Sequence, residues 1–327
     1  MRRCHPSSSV SWVLTFGLAL LLCAANAEAE GTPIAHGTVE LIAESPWIEK
    51  QGIENQGIEN QRIAAGHKCD VGLRFQLEKG WHIYWVNPGD SGEPPRVEWH
   101  LPAGLTAGAI EWPTPQRFAT SSSIVDYGYE DAVLLIVPMH VDSRLAAQQT
   151  VQLGAEVKLL VCSHEMCIPG KAELSLVLPI KSQRAVPDAR SNVSSTAELF
   201  NAARKSLPRA APANWRFSVA DANDSFVLTA KLGHQVTHAV FFPLAESQIE
   251  NAAPQKLVPI ATGFRLTLRK SDQLVKPIER LKGVLVLSGD RSHLDQSYLI
   301  DVPLTKPGAA RSSFDIGIHP VQSLYNP

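Results

Sequence analysis

From residue 151 to 161 every second side chain is apolar: Val151, Leu153, Ala155, Val157, Leu159 and Val161. A period of two gathers those six on one face of an extended strand, which a helix cannot do. The alternation returns in Ala172, Leu174, Leu176, Leu178 and Ile180, then in Phe226, Leu228 and Ala230. Phe264, Leu266 and Leu268 continue it, followed by Val284 and Val286, and Tyr298, Ile300 and Val302 close it. Short alternating runs punctuated by 23 prolines and 21 glycines predict an all-β chain of antiparallel sandwiches.

One stretch breaks the period. Ser194 to Lys205 (SSTAELFNAARK) reads as a capped helix with Ser195 or Thr196 near its start, and residues rich in Pro and Ala follow from Pro208 to Pro212. The expected order is a first β-sandwich over 34–182, a linker with this helix over 183–212, a second sandwich over 213–306 and a loosely held tail over 307–327. The immediate repeat of QGIEN at 51–55 and 56–60 is too short for a solenoid unit and reads as a duplication in a surface loop.

The first residues read as an export signal. Arg2 and Arg3 precede an apolar run from Val10 to Cys23, with cleavage sites at Ala25-Asn26-Ala27 or Ala27-Glu28-Ala29. The run is short of the roughly 20 apolar residues that span a bilayer. Leu22 stands where lipid attachment at Cys23 would want a small residue. Cleavage after Ala27 removes Arg2 and Arg3 and no acidic group, leaving 28 basic against 32 acidic side chains, a net charge of −4. That charge excludes a nucleic-acid footprint. No later segment is long and apolar enough to span, so a soluble mature chain is expected.

Of five cysteines, Cys4 and Cys23 leave with the signal, and Cys69, Cys162 and Cys167 remain. Cys69, before Val71, Leu73 and Phe75, reads as a buried free thiol. Cys162 and Cys167 bracket Ser163-His164-Glu165-Met166, between two alternating runs. A bond between them would close a small ring worth only about 2 kcal/mol of chain entropy. So modest a contribution suits an exchangeable bond better than a staple. Exchange needs a thiolate, access and a resolving neighbour. Glu165 would raise a thiol pKa and a protonated His164 would lower it. Cys162, His164, Met166 and Cys167 also form a soft donor set suited to copper(I). Redox couple, structural disulfide and copper site all stand on spacing alone.

The residues ahead of this loop carry a resemblance. Gly80 to Pro95 reads GWHIYWVNPGDSGEPP, followed by Trp99-His100-Leu101-Pro102, Glu111-Trp112-Pro113-Thr114-Pro115, Tyr127-Gly128-Tyr129 and the Cys162 to Pro169 segment. This ordered set resembles the periplasmic N-terminal region of the DsbD/ScsB thiol:disulfide interchange proteins, over roughly residues 35 to 305. The ScsB-like branch, linked to copper tolerance, is the nearer match. Phe241-Phe242-Pro243 and Leu281 to Leu287 extend it through the second domain. The resemblance implies two immunoglobulin-like β-sandwich domains and a periplasmic location. It implies that Cys162 and Cys167 form the redox couple, fed by a membrane electron donor and serving thioredoxin-like partners. It also implies an aromatic cap over the pair, for which Phe118 in Gln116-Arg117-Phe118-Ala119 is the counterpart. The family's transmembrane bundle and C-terminal thioredoxin domain do not follow the second β domain in this sequence, so either a separate protein is expected to supply electrons or the cysteines are expected to serve something other than electron relay.

Weaker candidates complete the list. Trp81, Tyr84, Trp85 and Trp112 read as core and turn packing. Asn87-Pro88-Gly89-Asp90 reads as a tight turn, with orientation of a thiol as the functional alternative for Asp90. Tyr127 and Tyr129 share a strand face and either line the cysteine pocket or pack the core. His234 and His238 lack a third metal ligand. Two rival classes stay open: a periplasmic copper(I)-binding protein, and a non-catalytic binding module with a structural disulfide.

Overall fold

The computed structural model describes residues 31–44, 68–121, 123–142, 150–179, 193–288 and 296–305. The expected signal peptide with Cys4 and Cys23, the repeat at 51–60, Ile180 and the tail at 307–327 lie outside the described residues.

Eleven strands build the first sandwich: β1 (Thr32–Ile34), β2 (Gly37–Ala43), β3 (Lys68–Leu77), β4 (His82–Gly89), β5 (Arg96–His100), β6 (Leu105–Ala107), β7 (Gln116–Ala119), β8 (Val125–Glu130), β9 (Ala132–Val141), β10 (Thr150–Cys162) and β11 (Cys167–Pro179). One sheet runs β1-β2-β3-β9-β6, and the other runs β11-β10-β4-β8-β7 with β5 also paired to β10. The alternating residues meet between the sheets. Val71, Leu73 and Phe75 of β3 pack with Ile83 and Trp85 of β4, Tyr127 and Tyr129 of β8, and Val157, Leu159 and Val161 of β10.

The helix α1 (Val193–Ser206) starts slightly earlier than the capping pattern suggested, within the usual ambiguity of helix ends. It is docked on the outer face of the first sandwich, where Phe200 and Ala203 pack on Leu134 and Ile136 of β9. Gly72 makes room for it, because a Cβ there would sit 2.4 Å from Leu134 and 3.1 Å from the Phe200 ring. Arg204 pins the end of the helix through paired contacts with Glu44 and Asp70.

The second sandwich comprises β12 (Arg209–Ala210), β13 (Arg216–Asp221), β14 (Ser225–Lys231), β15 (His238–Pro243), β16 (Lys256–Ile260), β17 (Gly263–Arg269), β18 (Arg280–Ser288) and β19 (Gln296–Thr305). The order is β15-β18-β19-β13-β14-β17-β16, with β12 beside β19. The all-β expectation of two sandwiches holds, and each alternating run named above within the described residues lies in a strand.

The β15-β18-β19 sheet is buried on both faces. Phe241, Leu281, Leu285, Leu287, Tyr298 and Ile300 face the second core. Their neighbours Phe242, Val284, Val286 and Leu299 belong to the first core instead. This explains why residues 281–287 read as a nearly continuous apolar run, as strands covered on both sides do. Polar bonds lock the seam. Asn87 Nδ2 donates to the carbonyls of Pro243 (2.8 Å) and Ala245 (3.2 Å), and the Tyr127 hydroxyl donates to Asn251 Oδ1 (2.9 Å).

Candidate functional site

Cys162 ends β10, Cys167 begins β11, and they face each other as the last cross-strand pair of the hairpin, joined by a disulfide. The four residues between them form a tight turn. The Ser163 amide donates to the Met166 carbonyl (2.8 Å), and Ser163 Oγ accepts from the amides of Glu165 and Met166. This turn holds the two cysteines at facing positions while leaving His164, Glu165 and Met166 in solvent. The two cysteines differ in access: Cys162 is 1% exposed, whereas Cys167 is an exposed residue at the hairpin tip.

The strand period decides what surrounds the bond. Cys162 pairs with His82, which on its other side pairs with Glu130. Directly opposed residues share a sheet face, so His82 lies on the same face as Cys162, turned away from the core. Ile83 and Trp85 point the other way, into the core. Tyr84, two residues after His82, returns to the disulfide face, and its hydroxyl lies 3.5 Å from Cys167 Sγ. A disulfide sulfur carries no hydrogen, so the tyrosine donates. Phe118 of β7 stacks on the His82 ring (centroids 4.8 Å apart, planes 19° apart), and Tyr84 meets that ring edge-on at 5.2 Å.

Electrostatics follow from this burial. Desolvation, reinforced by His164, pushes the His82 imidazole down to about 4, so it is neutral near pH 7. Its Nε2 is buried without a hydrogen-bond partner. Desolvation, with Asp126 adding, pushes Tyr84 up to about 12, which keeps its hydroxyl protonated and donating. Burial also raises the Asp126 carboxyl, against the bonds that it accepts from Ser91 and Thr120.

Asp126 organises the loops around the site. Its Oδ1 accepts from the Ser91 amide (3.1 Å) and hydroxyl (2.8 Å), and its Oδ2 accepts from the Thr120 hydroxyl (3.2 Å). Thr120 follows the Phe118-bearing strand, and Ser91 precedes Gly92. Gly92 has φ +84° and lies so close over Tyr84 that a Cβ would sit 2.1 Å from the ring. The positive φ and the close approach both call for glycine. One carboxylate thus ties the Phe118 hairpin to the turn that presses Tyr84 into place.

The sequence-derived site residues separate into three groups. Cys162, Cys167 and Phe118 share the disulfide face with His82 and Tyr84. His164 and Met166 stand exposed in the turn between the cysteines. Tyr127 and Tyr129 are not brought to the disulfide. Their parity matches Ile83 rather than His82, so both point into the core, with the Tyr129 hydroxyl bonded to the Pro113 carbonyl (2.7 Å). Asp90 is also elsewhere: its carboxylate accepts from the Val125 amide and from Asn251 Nδ2 of the second sandwich (both 2.8 Å). His82, Asp126 and Gly92 were not singled out from sequence. Pairing of β4 with β10, which no local pattern in the sequence signals, is what places His82 beside Cys162.

Cys69 is half-buried, and burial with Asp70 and Glu44 nearby pushes its thiol up to about 11. His234 and His238 are exposed and join no group of three ligands among the described residues. The single such group there, His100, Glu156 and Glu173, has its central carboxylate paired with Lys158 (2.8 Å) and Lys171 (3.0 Å).

A disulfide closing a hairpin tip on one face of an immunoglobulin-like sandwich is the arrangement that the site presents. Residues 55–179 match the family model described as thiol:disulfide interchange protein DsbD, N-terminal, and the first sandwich belongs to that DsbD/ScsB N-terminal domain family. The crystal structure of the N-terminal periplasmic domain of ScsB from Proteus mirabilis is similar across both sandwiches. It matches with 17% identity and a TM-score of 0.54, covering 82% of this chain and 94% of that one. A crystal structure of the Actinomyces fimbrial adhesin FimA, at 10% identity over 82% of this chain and 98% of that one, has a TM-score of 0.21 and bears on nothing here. No curated protein matches the chain.

Proposed function

We propose that this chain is a periplasmic thiol–disulfide exchange protein that relays electron pairs through Cys162 and Cys167. The observation that carries the reading is the asymmetry of the pair: one cysteine exposed at a hairpin tip, the other buried beside it. The family match supports the chemistry, and the ScsB likeness supports the shared fold.

In this reading a donor thiolate attacks the exposed Cys167 Sγ. The sulfur–sulfur electron pair passes to Cys162, which leaves as a thiolate, and a donor–Cys167 mixed disulfide forms. The donor's second thiolate resolves that bond and leaves the pair reduced. The Cys167 thiolate then attacks the disulfide of a thioredoxin-like partner. Cys162 closes back onto Cys167 and expels the reduced partner, so two electrons have moved. The donor is proposed to be a membrane protein, and Phe118 is proposed to limit which thiols approach.

The test is the reduction potential of the pair in purified protein, read by thiol alkylation against a glutathione or dithiothreitol series. A value within about −120 to −270 mV is expected for an exchange protein, and one below about −300 mV overturns the reading in favour of a structural bond. Cys162→Ser, which leaves the exposed thiol, is expected to trap a partner as a mixed disulfide. A second reading rests on His164 and Met166 standing exposed between the cysteines: once reduced, the pair would bind copper(I). Stoichiometric copper(I) uptake by the reduced protein, lost on substitution of either cysteine, would support it.

A further inference from the structure

The exchange reading leaves one group at the site unused. His82 is 4% exposed, lies directly across the strand pair from Cys162, and carries a buried Nε2 with no partner. Every other polar group described near the bond has an assignment. The Tyr84 hydroxyl faces Cys167, Asp126 holds Ser91 and Thr120, and His164 and Glu165 are in solvent on the turn. Phe118 closes over the imidazole and contributes no polar atom. Glu130, the neighbour of His82 on β8, is the adjacent ionisable group on that face by register, and Lys158, Lys171, Glu156 and Glu173 lie on it four or more residues along the hairpin from the cysteines. A buried nitrogen left unpaired is costly unless another state of the protein satisfies it.

Opening the disulfide creates such a state. Attack at Cys167 deposits a full negative charge on Cys162 Sγ, in a position with almost no access to water. We propose that His82, as its Nε2–H tautomer, donates a hydrogen bond to the Cys162 sulfur when the bond opens, stabilising the buried leaving thiolate. No proton is transferred. The neutral imidazole keeps its hydrogen, the electron pair stays on sulfur, and recoil of the Cys162 thiolate onto Cys167 releases the nitrogen again. Tyr84 serves the exposed sulfur and His82 the buried one, so each half of the couple has its own donor. The neutral state of His82 near pH 7 agrees with this role, since an imidazolium held there would form a fixed ion pair and slow the recoil.

The inference rests on the exchange reading for its purpose but not for its test. In the full chain carrying Cys167→Ser, with cysteine labelled with carbon-13 at Cβ, the Cys162 resonance is followed across pH to give its thiol pKa. His82→Phe keeps a ring for Phe118 to stack on and removes the donor. It is expected to raise the Cys162 pKa by about one to two units, a roughly 10- to 100-fold loss of thiolate at a given pH. His82→Gln, which offers an amide N–H at a similar reach, is expected to recover most of that shift. An unchanged pKa in His82→Phe overturns the proposal, and so does an equal rise in both variants, which would mark His82 as packing alone. The unsubstituted protein provides a check free of folding defects: the His82 Nε2–H resonance must move on reduction of the disulfide, and a resonance that stays put overturns the proposal. A potential outside the exchange range with the pKa shift intact would remove the function and leave this contact standing; an exchange-range potential with no shift would do the opposite.

Discussion

Replacing Tyr84 with phenylalanine removes one oxygen from the site and leaves the buried ring in place. In the oxidised protein the hydroxyl donates to a neutral disulfide sulfur, a bond worth about 0.5 to 1.5 kcal/mol, whereas a donor to a charged group is worth about 1.5 to 3 kcal/mol. Tyr84→Phe therefore penalises the reduced, thiolate form by roughly 1 to 1.5 kcal/mol more than the oxidised form. That difference corresponds to a rise of about one unit in the Cys167 pKa, or roughly 20 to 30 mV toward a more negative potential at pH above the thiol pKa. The exposure of Cys167 makes the assay direct: its alkylation rate is measured against pH in the reduced protein and located by peptide mass. Burial pushes Tyr84 up to about 12, so its hydroxyl stays protonated across the range and does not confuse the titration. A Cys167 pKa that moves by less than a few tenths of a unit, in a variant that unfolds at the same temperature, would refute the argument that this hydroxyl holds the exposed sulfur.

Two further outcomes follow from burial. Phe200 is fully buried where α1 meets Leu134 and Ile136, and Phe200→Ala is expected to cost about 3 to 5 kcal/mol in urea unfolding; a loss under 1 kcal/mol would show that the helix is not held by that ring. The pH dependence of stability has a definite sign. His82 is pushed down to about 4 in the folded protein from an ordinary value of 6.5, so between those values the unfolded chain binds the extra proton. Stability is then full above about pH 6.5 and falls toward pH 4, by on the order of 3 kcal/mol. His82→Phe is expected to remove that part of the slope, and an identical pH profile in the variant would count against a buried neutral imidazole.

The strands were legible because a period of two is a local property. The runs at 151–161, 226–230, 264–268 and 298–302 each bury the face that the alternation names. The cysteine pair was legible too, since a short loop between two alternating runs makes a hairpin tip. Parity between different strands was not. Whether Tyr127 or Tyr129 shares a face with Cys162 depends on the register of β8 against β4 and β4 against β10, and a one-residue difference reverses the answer. His82 escaped notice for the same reason, being placed beside Cys162 by pairing across 80 residues of sequence. Residues 281–287 concealed something else. Both parities are apolar there, and nothing local says that Val284 and Val286 leave for one core while Leu285 and Leu287 stay in the other.

That shared sheet governs where the chain can be divided. A boundary drawn through the Pro- and Ala-rich stretch after α1 meets only the two-residue β12, yet it would strip Phe242, Val284, Val286 and Leu299 from the first core. Trp85 and Tyr127, both stacked edge-on against Phe242, would lose that cover. Each buried apolar side chain of this kind contributes about 1.5 to 3 kcal/mol. The half that bears the disulfide is thus no free-standing module that can be excised at the linker; its floor is supplied by the other half.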